Sequence, residues 1–241
     1  MPENHFGEDV ASQYDASTAD MPVEPVVDFL AERAGGGPVL ELAIGTGRIA
    51  LPLAARGLRV HGIDLSEAMV ARLREKPGGD ELPVTIGDYA TTRVDGTFTL
   101  AYLVYNSIQN QTTQDAQVAS FENVAAHLEP RGRFVIEVGI PDVRGERLRI
   151  FDFGGRHVGI DEYDVANQAL ISHHYTRGED GSFRCGSGPF RYVWPSELDL
   201  MARIAGLTPT ERYSGWNGEP FTSESTKLVA VWQKGSDPEG V

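Results

Sequence analysis

Apolar positions in the first half of the chain recur at two alternating spacings. Val23, Val26, Val27, Leu30 and Ala31 fall three or four apart, which predicts a helix over residues 21–34 ended by Gly35-Gly36-Gly37. The short run Val39, Leu40 and Leu42 predicts a buried strand. After Gly45-Thr46-Gly47 the helical spacing returns at Ile49, Leu53 and Ala54. A second apolar run, Val60 to Ile63, ends on Asp64, and Ser66 stands where it would cap a helix over residues 66–76. Strand, glycine turn, helix and strand make a βαβ unit of about 30 residues, long enough for a parallel crossover.

The alternation continues. Val84 to Ile86 and the apolar run Phe98 to Val104 predict further strands, the latter covered on both faces. Thr112-x-x-Asp115 predicts a capping box ahead of a helix whose stripe is Val118, Phe121, Val124, Ala125 and Leu128. Pro130-Arg131-Gly132 turns the chain into a strand over residues 134–138. Residues 141–194 break the pattern: 169–176 and 182–194 alternate with period two around Gly178-Glu179-Asp180-Gly181, a hairpin signal. Pro195-Ser196-Glu197 opens a helix with Leu198, Met201, Ile204 and Ala205 inward. Strands over 207–213 and 226–232, separated by a loop with Gly215, Trp216 and Gly218, close the chain. The expected organisation is a flexible segment at 1–20, an α/β core at 21–140, an antiparallel insertion at 141–194 roofing the core, and a returning helix and strands at 195–241.

Composition narrows the class. Hydrophobic content of 41% and charge of 23% over 241 residues are those of a globular chain with a substantial core. No apolar run approaches membrane-spanning length, and the acidic N-terminus is wrong for a signal peptide, so a cytoplasmic enzyme away from membranes is expected. A formal charge of −14 argues against a nucleic-acid partner, which needs clustered Lys and Arg. The single Cys185 excludes an intrachain disulfide and a cysteine-rich metal site, and no metal is required by the chemistry below. The pattern assigns no oligomeric state.

The candidate chemistry sits in the βαβ unit. Gly45 and Gly47 let backbone approach a ligand, the helix that follows offers N–H groups, and Asp64 ends the next strand where a carboxylate accepts ribose hydroxyls. A nucleoside-containing cofactor follows. Gly45-x-Gly47-x-x-Ala50 also satisfies the loose dinucleotide fingerprint, but Glu41, four residues before Gly45, has no use in a dinucleotide enzyme. The run Glu41-Leu42-Ala43-Ile44-Gly45-Thr46-Gly47 resembles motif I of class I S-adenosylmethionine (SAM) methyltransferases, and Ile63-Asp64-Leu65-Ser66 with Met69 resembles the stretch that follows it in that family. The reversed final strand is similar too.

The resemblance implies a doubly wound, mostly parallel seven-stranded sheet and a set of cofactor residues. Glu41, Ala43, Gly45 and Gly47 would lie at the methionine end, Asp64 with Leu65 and Met69 at the ribose, and Gly87, Asp88 and Tyr89 at the adenine. Ser12-Gln13-Tyr14-Asp15 resembles the short "YD" element of small-molecule members, including sugar N-methyltransferases, where the tyrosine closes over the cofactor. Tyr105 and Asn106, at the carboxyl end of a central strand, are candidates for cofactor or acceptor contacts. Arg48 pairs either with the methionine carboxylate or with a core acid, and Glu137 either forms a strand-end salt bridge or faces the acceptor.

The implied activity is methyl transfer to nitrogen or oxygen of a small molecule, a natural-product or sugar-like acceptor. An oxygen acceptor benefits from a base, and His173 or His174 is the candidate. Period two puts Ile171, His173 and Tyr175 on one face and Leu170, Ser172 and His174 on the other, so one histidine looks inward. Phe190, Tyr192 and Trp194 share a face that either lines an acceptor pocket or packs the hairpin. The rivals are a nicotinamide-dependent oxidoreductase, for which no second phosphate-binding half is found in residues 97–138, and a protein that binds SAM without methyl transfer.

Overall fold

The computed structural model describes residues 5–143, 147–178 and 180–236. The outermost residues of the expected first and last segments, residues 144–146 of the insertion and Glu179 of the hairpin signal lie outside that range. The core elements run α1 (Glu8–Ser17), α2 (Glu24–Ala34), β1 (Val39–Leu42), α3 (Ala50–Ala55), β2 (Val60–Asp64), α4 (Glu67–Arg74), β3 (Val84–Ile86), β4 (Phe98–Leu103), α5 (Gln114–His127) and β5 (Leu128–Gly139). The insertion holds β6 (Leu148–Gly154), β7 (His157–Asp164), β8 (Ala169–Arg177) and β9 (Phe183–Arg191). Then come α6 (Pro195–Ile204), β10 (Leu207–Tyr213) and β11 (Lys227–Lys234).

Seven strands form one sheet in the order β10-β11-β5-β4-β1-β2-β3. The pairs β4–β5, β4–β1, β1–β2 and β2–β3 are parallel; β11 runs antiparallel to both β5 and β10. The expected doubly wound sheet with a reversed strand is present. One face packs Phe121 of α5 edge-on against Phe134 and Trp232, with centroids at 5.1 and 5.7 Å, and the Trp232 indole N–H donates to Asp199 at 3.0 Å. The other face buries Leu30, Leu53, Leu100 and Tyr102 under α2 and α3. Both faces of β1 and β4 are thereby covered, the reason their sequences read as unbroken apolar runs. Among the described residues no helix is long and apolar enough to cross a membrane.

Four expectations need correction. Residues 8–17 form helix α1 instead of a flexible segment. The α5 cap is Thr113, whose hydroxyl accepts the Ala116 N–H at 3.2 Å, one residue beyond Thr112. On α6, Ile204 is 61% exposed and Ala202 takes the inward place, because the buried face runs through Leu198, Met201, Ala202 and Ala205 at helical spacing and Ile204 falls off it. The insertion is a four-stranded antiparallel meander, β6-β7-β8-β9, with two more strands than the period-two signal showed, and β9 stops at Arg191.

The meander is hinged on the core by one polar cluster. Arg191 is 6% exposed, bonds Gln117 of α5 and pairs with Glu197 of α6 at 2.7 Å; Gln168 donates to the same carboxylate at 2.8 Å. Each polar group buried there has a partner, which fixes the sheet's position above the carboxyl ends of β1 and β4.

Candidate active site

A cavity of about 510 Å³ lies between those strand ends, α1 and the overhanging meander. Its near end is built from the glycine turn. Gly47 takes φ +78°, and a Cβ there would stand 2.3 Å from Leu73 Cδ1, so only glycine closes the loop this tightly against α4. The Gly45 N–H donates to Asp64 Oδ2 at 2.6 Å and the Ser66 N–H to Oδ1 at 2.8 Å. This changes the expected division of labour. The loop amide is engaged by Asp64 and α3 is a short helix, so the turn chiefly presents the Asp64 carboxylate to the cavity. Burial raises the Asp64 pKa against the pull of the Ser66, Gly45 and Leu65 N–H groups.

Ala43, Gly45, Leu65 and Met69 line the cavity with Asp64, as do Asp88, Tyr89 and Tyr105. Gly47 and Gly87 do not: Gly47 packs on α4, and Gly87 donates its N–H to the Asp64 carbonyl at 2.8 Å, tying β3 to β2. Asp88 Oδ1 accepts from the Ala90 N–H at 2.9 Å and from Gln111 Nε2 at 2.7 Å. The Tyr89 hydroxyl donates to the Ser107 carbonyl at 2.6 Å.

Glu41 is also absent from the cavity lining. It is 3% exposed, beside Tyr102 and Arg48, and burial pushes its pKa up to about 8 against the opposing influence of both neighbours. Glu41 Oε2, Arg48 Nη1 and Tyr102 Oη are all buried without a hydrogen-bond partner. Arg48 lies beside the core acid, one of the two partners expected for it, and keeps Nη1 unpaired. The Arg48 guanidinium also lies 5.7 Å from the Tyr105 ring.

Tyr14 enters the cavity from α1, where burial lifts its pKa to about 12. Its neighbour Asp15 clips the helix down: Oδ1 accepts from Thr46 Oγ1 at 2.5 Å, Oδ2 pairs with Lys76 at 2.6 Å, and Lys76 donates to the Thr46 carbonyl at 2.8 Å. The "YD" pair therefore divides into a residue that faces the cavity and one that fastens the helix carrying it.

At the end of β4, Tyr105 and Asn106 both have positive φ, 56° and 60°. Two such residues in succession are strained unless held. Glu137 Oε2 accepts the Tyr105 N–H at 3.0 Å and Asn106 Oδ1 accepts the Gly139 N–H at 2.6 Å. Glu137 Oε1 accepts from the Trp216 indole at 3.2 Å. Glu137 thus braces this turn; among the described residues it makes no salt bridge and does not line the cavity.

The meander forms the roof. Leu170, Ser172 and His174 face the cavity as the alternation of β8 requires, and Phe190 joins them from β9. His173 faces away: Nδ1 bonds Ser187 at 2.7 Å and Nε2 lies 3.6 Å from Glu162. Tyr192 is likewise outside the cavity, because β9 ends one residue earlier and the chain turns into the hinge, where Tyr192 packs against Tyr163 and Trp194 at 5.5 and 6.1 Å. Of the three catalytic candidates only His174 reaches the site.

Strand β7 and the bulge in β6 add residues that the sequence reading missed. Asp161 faces the cavity opposite Ser172, and burial raises its pKa. The register shift between Ile150 and Asp152 turns Phe151 inward, over Gly159, where a Cβ would meet the ring at 2.2 Å. Phe151 then meets His174 edge-on at 5.5 Å. The alternation of Val158 and Ile160 was the available signal for β7, diluted by the charged and glycine residues between them.

A family model described as a methyltransferase domain matches residues 39–132. The CcbJ methyltransferase from Streptomyces caelestis superposes with a TM-score of 0.87 at 30% identity, over 96% of this chain and 98% of that one. The cypemycin N-terminal methyltransferase of a Streptomyces species is 27% identical over 83% of this chain and 84% of its own length. The sugar N-methyltransferase KedS8 from a Streptoalloteichus species shares the fold, with a TM-score of 0.71 at 17% identity over 93% of each chain.

Proposed function

Because this chain belongs to the class I SAM-dependent methyltransferases, we propose that it methylates the nitrogen of a small, cationic amine held under the roof, a natural-product or sugar-like acceptor. Asp161 carries this reading. It is a carboxylate in an otherwise aromatic and polar roof, it faces the cavity, and among the described residues it pairs with no Lys or Arg. A half-buried acid that faces a cavity and pairs with no Lys or Arg is a place for a cation. Phe151, Phe190 and Tyr105 surround the same space and suit an ammonium group. The curated relative that covers most of this chain is named for an N-terminal, hence amine, methylation.

The residues present also fit SAM. Three orphaned polar atoms, a carboxylate oxygen, a guanidinium nitrogen and a phenol oxygen, cluster at Glu41, Arg48 and Tyr102 behind the glycine turn. An amino acid moiety carries the complementary amine and carboxylate. In this reading Asp64 takes the ribose hydroxyls, Asp88 with Gln111 marks the adenine end, and Tyr14 closes the cavity from α1. When bound, SAM supplies an activated methyl group, so no metal is needed. The protein's part is alignment and dehydration: the Arg191 hinge holds the roof in place, Glu137 holds the Tyr105 turn, and Asp161 positions the amine.

The test is a mass-spectrometric screen with SAM and paired acceptors: amino sugars and amines with a free amino group, each beside its hydroxyl analogue. Amines should gain a methyl and their hydroxyl twins should not. Asp161→Asn should lower kcat/KM for the best amine by roughly 10- to 100-fold. Methylation of hydroxyl analogues alone, or an unchanged kcat/KM in Asp161→Asn, contradicts the reading.

A further inference from the structure

The roof carries a continuous line of proton-bearing side chains that neither cofactor binding nor the amine site accounts for. It begins at Asp161, which faces the cavity from β7. Ser172 stands directly opposite on β8, and its hydroxyl stabilises the Asp161 carboxylate. Ser172 Oγ lies 3.3 Å from His174 Nε2, His174 Nδ1 lies 3.0 Å from His157 Nε2, and His157 Nδ1 lies 2.6 Å from Asp152 Oδ2. Three strands contribute to this line. Ser172 is buried and Asp161 half-buried, His174 is exposed where it meets the cavity, and the side chains of His157 and Asp152 are 31% and 49% exposed.

We propose that Asp161, Ser172, His174, His157 and Asp152 form a proton relay that carries the acceptor's proton from the cavity to solvent at the rim of the roof. The inference rests on the amine reading. An ammonium has no free lone pair and cannot attack until it loses a proton, and Asp161 is the roof carboxylate that faces it. The line has two complete arrangements of hydrogens. In the first, a protonated Asp161 donates to Ser172, Ser172 donates to His174 Nε2, and His174 donates through Nδ1 to neutral His157. In the second, each of those hydrogens has moved one place outward: Asp161 is a carboxylate, Ser172 donates to it, His174 carries its hydrogen on Nε2, and His157 is an imidazolium donating to His174 and Asp152. Every donor has an acceptor in both states.

The balance is therefore simple. The acceptor R–NH3⁺ gives one proton to the Asp161 carboxylate and becomes R–NH2, with its lone pair free. The Asp161 proton passes to Ser172 Oγ, the Ser172 proton to His174 Nε2 and the His174 Nδ1 proton to His157 Nε2. One proton has left the cavity, and nothing is oxidised or reduced. The surroundings agree with the direction of travel. His174 is faced by His157 of β7, by its strand neighbours His173 and Ser172, and by Asp152 of β6 behind His157, while the residue opposite it on β9, Gly186, carries no charge. Partial desolvation and the two neighbouring histidines lower the His174 pKa, so the middle of the line passes a proton without retaining it; Asp152 stabilises the charge at the rim.

The relay is tested by titrating the imidazole nitrogens of the ¹⁵N-labelled full-length chain, in long-range proton–nitrogen spectra, with no acceptor needed. His61, half-buried on β2, and His127, buried on α5, report that each variant is folded. Asp161→Asn should lower the His157 midpoint by about half a pH unit or more, although the two residues do not touch. Ser172→Ala retains every charge and removes the link, so in that background Asp161→Asn should move His157 by less than half as much. At the other end, His157→Gln should raise the His174 midpoint. A His157 midpoint that ignores Asp161→Asn, or that moves equally with and without the Ser172 hydroxyl, overturns the relay; so does a His174 midpoint unmoved by His157→Gln. Uncoupled titrations leave amine methylation in the screen intact, and a failed screen leaves these titrations readable.

Discussion

Glu41 shows how much one residue can carry and how little of it a motif reveals. The sequence places an acid four residues before the glycine turn, and the structure shows why its place matters: it is buried at the end of β1 with a carboxylate oxygen that has no partner. Its folded pKa, about 8, lies above the ordinary carboxylate value. The fold therefore favours the protonated form. That contribution is full below pH 4.5 and is lost progressively as pH rises to about 8, so the free protein should become less stable across this window. Glu41→Gln should flatten the dependence and stabilise the free protein at pH 8 by about 2 kcal/mol, read from thermal unfolding across pH. Equal pH slopes in the two proteins would contradict this account of the site. Gly45 and Asp64 were legible by spacing and Tyr14 through its resemblance to a family element, whereas the unpaired atoms of Glu41, Arg48 and Tyr102 depend on what surrounds them.

At the scale of elements, helices and strands stabilised by their own pattern could be read, and those stabilised by neighbours could not. Helix α1 buries little beyond Ala11 and has no side-chain cap, so its sequence looks like a polar tail. It forms because other elements hold it: Asp15 with Thr46 and Lys76, Glu8 with Arg72, and Ser66 with the Phe6 carbonyl at 2.5 Å. Burial alone would raise the Asp15 pKa, but Lys76 and Thr46 bring it below the ordinary value, so the clip weakens only in acid. Asp15→Ala should free α1, withdraw Tyr14 from the cavity and weaken S-adenosylhomocysteine binding about tenfold, while hydrogen exchange rises in residues 8–17 and not in the sheet. Unchanged exchange there would show that α1 is held by something else. The roof strands β6 and β7 were missed for a similar reason. Their alternation is interrupted by a bulge, glycines and charges, and their order comes from the pairing with β8. Tyr192 was misplaced because period two was carried past Arg191, where the strand gives way to the hinge.

For the whole molecule, the apolar runs and crossovers implied an α/β core and the family resemblance a doubly wound sheet, whose order brings the ends of β1, β2 and β4 together as the floor of one cavity. What the chain order could not convey is how the insertion lies over that floor, since this depends on Arg191 meeting Gln117 and Glu197 from two different helices. The formal charge of −14 suits the proposed acceptor as well, because an acidic surface draws small cations toward the cleft. The claim on which the rest depends is that this cavity holds the cofactor through Asp64. Calorimetric titration with S-adenosylhomocysteine, repeated with Asp64→Ala and with NADH in its place, tests it most directly. The account predicts one site per chain for the nucleoside, an affinity at least tenfold weaker in Asp64→Ala and no binding of NADH. An affinity unchanged by Asp64→Ala, or binding of NADH alone, would contradict it.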